Sequence, residues 1–214
     1  RVHSTVTSAA AYKPWSILSL AIAAALVTVL WTRLLRTDLG AAVGLASTSI
    51  MLAYGSPEPY GAIVALFLPP VLILAWHAVN PTARHAGRGA AVATTLFLGV
   101  SASMYTLYTG LAAGTVVLMA LVATVGAAVA HRRAGRGPFP LWLPAVRLAA
   151  IGFGSIAIAL IVWAPYLLAA LRGTPADSGT AMHYLPDAGA RLPLPMTAGG
   201  LTGGVCLAGL VWIV

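Results

Sequence analysis

Three of the four acidic residues in this 214-residue chain, Glu58, Asp177 and Asp187, fall in two short stretches. The first is Ser56-Pro57-Glu58-Pro59-Tyr60. Two prolines fix φ on either side of Glu58 and stiffen the turn. A carboxylate held this way can orient a substrate hydroxyl or bind a divalent metal, and Tyr60 adds a ring and a hydroxyl beside it. The same carboxylate can instead act as a first-turn acid on the following helix, where the dipole favours it. The second stretch, 172–195, collects Arg172, Asp177, His183, Tyr184, Asp187 and Arg191. Arginine and histidine at an interface can hold a phosphate, and His183 and Tyr184 can stack on or hydrogen-bond a sugar. A plain solvated loop is the competing reading. The candidate substrate-binding residues are therefore Glu58, Tyr60, Arg172, His183, Tyr184, Asp187 and Arg191, and none is assigned as catalytic. Other chemistries lack their residues. Cys206 is the only cysteine, so no intrachain disulfide can form. No zinc-ligand spacing, glycine-rich phosphate loop or Ser/His/Asp set occurs.

Composition says what must position these residues. Hydrophobic residues make up 60% of the chain and charged residues 7%, far from the ~25% charge of a soluble domain. That excludes a disordered chain, which is polar and charged. Apolar runs recur along the whole length, and a bilayer core needs roughly 20 residues of helix to cross. Seven spans are expected: 14–31, 39–54, 61–79, 90–108, 111–130, 146–171 and 196–214. The second is short and carries Ser47-Thr48-Ser49. The fourth and fifth are parted only by Thr109-Gly110, which predicts a tight hairpin there. The sixth can begin as an interfacial piece near Trp142. The fold class is all-α, a polytopic transmembrane bundle over residues 1–214. The chain opens at Arg1 without Met and closes inside an apolar run, the pattern expected of an internal piece of a longer protein.

The net charge is +8. The twelve basic residues are scattered in short loops, so no basic face forms and nucleic acid is not an expected partner. They read as a topology signal instead. Arg33, Arg36, Arg84, Arg88, Arg132, Arg133, Arg136 and Arg147 share one side, while Arg1, Lys13, Arg172 and Arg191 share the other. The positive-inside rule puts the first group in the cytoplasm. The outer side then carries 55–60, 109–110 and 172–195, with Glu58, Asp177 and Asp187; Asp38 lies beside Arg36 on the inner side. The expected location is the plasma membrane, multi-pass, with the lipid bilayer itself as a partner.

Within the spans, small residues recur four apart, as in Gly40/Gly44, Gly110/Gly114, Gly199/Gly203 and Gly200/Gly204. Such spacing lets helices approach closely, and ordinary bundle packing accounts for it. Pro69-Pro70 in the third span removes two backbone donors and predicts a kink or break, either for packing or as the wall of a substrate groove. His77, beside Trp76, reads as an interfacial belt residue. No Asp, Glu, Lys or Arg lies near the middle of a span, and no internal repeat is present. Both argue against an ion-coupled carrier.

Several strings together resemble a known family. They are Glu58-Pro59-Tyr60-Gly61 with Leu68-Pro69-Pro70, Tyr105-Thr106-Leu107-Tyr108-Thr109-Gly110, Trp163-Ala164-Pro165-Tyr166 leading to Leu171-Arg172-Gly173, and His183-Tyr184-Leu185-Pro186 leading to Leu192-Pro193-Leu194-Pro195. The chain resembles the membrane region of the actinobacterial galactan 5-O-arabinofuranosyltransferases. The resemblance implies a GT-C glycosyltransferase bundle with its active site facing outside. The implied donor is decaprenyl-phosphoryl-arabinofuranose, the implied acceptor a lipid-linked galactan, and the implied reaction inverting. Such enzymes take their general base from an acidic residue in a first outer loop. No acidic pair follows the first span here, so the base is expected outside these residues. No cofactor is certain, and a divalent metal is possible. Another polyprenyl-phosphate-dependent glycosyltransferase and a flippase for a lipid-linked precursor are the alternatives.

Overall fold

The computed structural model describes residues 8–54, 59–81, 87–135, 139–173 and 204. Six helices follow one another: α1 (Ser8–Leu34), α2 (Thr37–Tyr54), α3 (Pro59–Val79), α4 (Arg88–Met104), α5 (Thr106–Arg133) and α6 (Trp142–Leu171). No strand occurs among the described residues. Backbone polar groups cannot be left open in lipid, so long apolar runs must close their hydrogen bonds internally. The hydroxyls inside the spans obey the same rule. Ser19, Thr28 and Thr94 donate to carbonyls four residues earlier at 2.7–2.8 Å, and Ser47 donates to the Gly44 carbonyl at 3.1 Å.

The fold is a polytopic helical bundle. Helices α1, α3, α5 and α6 are long and apolar enough to cross a membrane. Helices α2 and α4, with 18 and 17 residues, sit at the lower limit for a span. The expected seventh span, 196–214, lies outside the described residues apart from Gly204. The sixth helix begins at Trp142, four residues before the expected start.

Two expectations need correction. The fourth and fifth helices part at Tyr105, not at Thr109-Gly110, which lie inside α5. Tyr105 alone leaves the helical region, with φ −151° and ψ 92°. Its N–H donates to the Ser101 carbonyl at 2.7 Å, and its own carbonyl accepts the Thr109 N–H at 3.2 Å. The Thr109 hydroxyl also lies 3.0 Å from the Ser101 hydroxyl. Thr109 thus bridges the break instead of making it. The second concerns Pro69-Pro70, where of the expected kink or break only the break is excluded. Helix α3 runs unbroken through both, with Pro70 fully buried.

The chain divides into two compact units, 1–164 and 165–214. In the first unit α3 contributes to both apolar cores. One gathers Ala75 and Val79 with Leu98 of α4, Ala112, Val116 and Ala120 of α5, and Ile151 of α6. The other joins Ala23, Val27 and Trp31 of α1 to Leu66 of α3. Helices α1 and α2 meet through glycine. A Cβ on Gly40 would fall 2.6 Å from the Thr32 Cα and the Trp31 carbonyl oxygen, and one on Gly44 2.8 Å from the Thr28 Cα. Helix α4 meets α6 in a similar way. A Cβ on Gly99 would lie 2.6 Å from the Ile158 Cβ, and the Ser155 hydroxyl donates to the Thr95 carbonyl at 3.2 Å. In the second unit, α6 ends at Leu171, and Gly173 takes φ +73° to close it.

Candidate functional site

Short connections make successive helices antiparallel, so the start of α3, the junction of α4 with α5 and Trp163 of α6 come to one end of the first unit. Four aromatic residues meet there. Tyr60, in the first turn of α3, is half-buried, and its ring lies 6.2 Å from that of Tyr105. Tyr105 in turn lies 5.0 Å from Tyr108, with the planes 45° apart. These separations fall in the range of favourable offset aromatic pairs. Trp163 of α6 reaches across, and its indole N–H donates to the Ala102 carbonyl at 3.0 Å. That carbonyl is among the last of α4, where intrahelical donors run out, so Trp163 caps α4 from the side.

Tyr60, Ser103, Tyr105, Thr106 and Trp163 line a cavity of about 430 Å3, with Met104 on its wall. A neighbouring hollow of about 660 Å3 runs over Tyr105, Tyr108 and Gly110. The extended residue Tyr105 is what makes the site. A continuous helix from α4 into α5 would carry its ring along one axis, whereas the break turns it toward Tyr60. The chemistry on offer is stacking and hydroxyl hydrogen bonding, which suits a sugar face.

The sequence candidates are placed as follows. Tyr60 is in this cluster. Arg172 is exposed in the turn after α6, its backbone N–H donating to the Leu168 and Ala169 carbonyls at 3.1 Å each, within the second unit. Glu58, His183, Tyr184, Asp187 and Arg191 lie outside the described residues. So do Asp177 and the regions 82–86 and 136–138 of the basic loops. Among the described residues, no three His, Cys, Asp or Glu come together as a metal site. Sequence reasoning gave no site role to Tyr105, Tyr108 or Trp163. A usable signal was available: each lies near the same end of an antiparallel helix, so aromatic residues distant in sequence share one level.

Comparison with known proteins adds the following. A family described as arabinofuranosyltransferase N terminal matches residues 4–214. A galactan 5-O-arabinofuranosyltransferase of Mycolicibacterium smegmatis is 49% identical over 203 residues, covering 95% of this chain and 31% of that protein. One from Mycobacterium tuberculosis is 43% identical, covering 95% of this chain and 30% of its own length. One from Corynebacterium glutamicum is 38% identical over 205 residues, covering 95% and 29%. The chain spans about a third of the length of the curated relatives it matches.

Proposed function

This chain belongs to the arabinofuranosyltransferase N-terminal family, and on that premise we propose that it is the membrane-embedded part of an enzyme that transfers arabinofuranose to cell-wall galactan. The observation that carries the reading is the match over nearly the whole chain to proteins named for that transfer. The donor is decaprenyl-phosphoryl-arabinofuranose, whose lipid half requires a membrane enzyme, and the acceptor is a lipid-linked galactan. The bundle is of the GT-C kind. It lies in the plasma membrane with the aromatic end outside and the arginine-rich end in the cytoplasm, as the charge asymmetry supports.

The reaction is a single displacement. A galactan hydroxyl attacks the anomeric carbon, the bond to phosphate breaks, and the anomeric centre inverts. Polyprenyl phosphate leaves with the bonding electron pair. The hydroxyl proton passes to a carboxylate base outside these residues, and this chain supplies binding. Tyr60, with Tyr105 beside it, stacks against a sugar. Arg172, Arg191 or His183 holds the phosphate, and Tyr184 and Asp187 hydrogen-bond sugar hydroxyls. Glu58 orients a hydroxyl or a divalent metal.

The full-length protein bearing this chain tests the reading. Supplied with decaprenyl-phosphoryl-arabinofuranose and a galactan acceptor, it should form an arabinofuranosyl linkage of inverted configuration, read by NMR of the product. No product from this donor, with product from a mannosyl donor, would replace the arabinosyl assignment. Loss of a charged hydrogen bond to phosphate costs about 1.5–3 kcal/mol. Alanine at one or more of Arg172, Arg191 and His183 should therefore slow turnover by about 10–150-fold where the bond is specific to the transition state, and wild-type turnover in all three would move the phosphate site elsewhere. Glu58→Gln should lose modestly and Glu58→Ala more, with unchanged melting. Total loss in both would make Glu58 the base.

A further inference from the structure

Tyr105 is the single residue between α4 and α5, and hydrogen bonds reach it from both helices. Its N–H donates to the Ser101 carbonyl at 2.7 Å, and its carbonyl accepts the Thr109 N–H at 3.2 Å. The Thr109 hydroxyl shares its proton between the Tyr105 carbonyl at 3.1 Å and the Ser101 hydroxyl at 3.0 Å. Ser101 in turn donates to the Leu98 carbonyl at 3.2 Å. A chain of hydroxyls thus runs from the first turn of α5, past the apex, into the closing turns of α4.

These bonds do different work. The ring closed by the Ser101 carbonyl ends at the Tyr105 nitrogen, and the rings closed on the Tyr105 carbonyl begin at its carbonyl carbon. Neither φ nor ψ of Tyr105 lies inside any of them. Only the bond between the two hydroxyls closes a ring that contains both torsions. Tyr105 itself sits at φ −151° and ψ 92°, an extended geometry open to any residue, so its own backbone does not select the angle. Ser101 is fully buried. Among the residues lining an apolar groove of about 330 Å3 between α3 and α4 it alone is polar. No other side chain of that groove competes for the Thr109 proton, and the low-dielectric setting strengthens the pair.

We propose that Ser101 and Thr109 are positioning residues, whose hydroxyl pair fixes the angle at Tyr105 and holds its ring toward Tyr60 as a sugar-binding surface. The assignment rests on the transferase reading and deepens it. Neither residue lines the cavity of Tyr60, Tyr105 and Trp163, so both act through Tyr105. A ring already in place binds a sugar without the cost of ordering it. Without the pair, that ordering falls to the sugar, and binding weakens while the packed helices stay as they are.

The test uses the full-length protein carrying 3-fluorotyrosine at position 105, read by fluorine NMR and titrated with decaprenyl-phosphoryl-arabinofuranose. Thr109→Val keeps the shape and removes the donor; Ser101→Ala removes the acceptor. Each should shift or broaden the Tyr105 line and raise the donor Kd and KM by about 2–10-fold, the range of one hydrogen bond, with kcat and melting little changed. Thr109→Ser should restore the line and the Kd. The double variant should be no worse than Thr109→Val, since both changes remove one bond. A parental line in both Thr109→Val and Ser101→Ala, or a shifted line with unchanged Kd, would overturn the proposal. So would an equal loss in Thr109→Ser, which would assign the effect to the methyl group. Binding does not depend on turnover. Weakened binding in the variants, with no arabinosyl transfer by the parent protein, would retain the positioning role and remove the transferase reading. Transfer with Kd and KM unchanged in every variant would do the reverse, and a parent protein that binds no donor would overturn both.

Discussion

Helices α2 and α5 carry the same sequence device and use it differently. Gly40 and Gly44 of α2 lie against the backbone of α1, with no room for a methyl group. Gly110 and Gly114 of α5 have the same four-residue spacing, yet a Cβ at either would meet nothing within 4 Å. Small residues permit close approach; they do not cause it. On α2 the opportunity is taken because the two-residue link after α1 lays the helices side by side. On α5 the packed face is the alanine-lined one, Ala112, Ala120 and Ala123 together with Val116, and the glycines fall elsewhere.

The same substitution at different glycines tests this contrast directly. Gly40→Ala should have the largest effect. Both nearest atoms belong to the α1 backbone, which cannot rotate away, so destabilisation should reach or exceed the 1–3 kcal/mol typical of overpacking. The unfolding temperature in detergent should fall by several degrees, and a fall below one degree would mean that α1 and α2 pack otherwise. Gly99→Ala comes next, at about 1–3 kcal/mol, because it presses on Ile158 and the Ser155 carbonyl. In the full-length protein it should also lower the proposed transfer activity per folded molecule by displacing Trp163, which the Gly40 change should not do.

Trp163→Phe keeps the ring and removes the donor to the Ala102 carbonyl. A single hydrogen bond is worth about 0.5–1.5 kcal/mol, so melting should drop slightly while KM for the donor rises. Unchanged KM would separate Trp163 from the aromatic cavity. Gly114→Ala should be the smallest, neutral or a gain of up to about 1 kcal/mol from helix propensity. A loss as large as at Gly40 would show that the open face of α5 is covered in the full-length protein.

The aromatic end and the arginine-rich end show how differently sites are encoded. The proposed role of Arg33, Arg36, Arg88, Arg132 and Arg133 asks only that they share one side of a bilayer, a requirement that a linear reading of loops can express. Tyr60, Tyr105 and Trp163 must meet in space, and only Tyr60 was singled out, from its neighbourhood with Glu58. The break between α4 and α5 shows the same limit. Glycine disfavours a helix interior in water, which points to Thr109-Gly110. In a membrane span glycine is tolerated, and the site of the break depends on which hydroxyls can satisfy the freed groups. Thr109 and Ser101 meet that need across Tyr105.

Hydrophobic run length determined, from the sequence alone, an all-α membrane bundle and six helices near their expected positions. These follow from the cost of exposing backbone and charge to lipid, a cost each segment meets by itself. Tertiary structure alone decided which glycines are packed, where α4 ends, and that Met104 lines both an apolar groove and an aromatic cavity. Those depend on contacts between residues as far apart as Tyr60, Ala102 and Trp163, and hydropathy contains no term for the distance between separate helices.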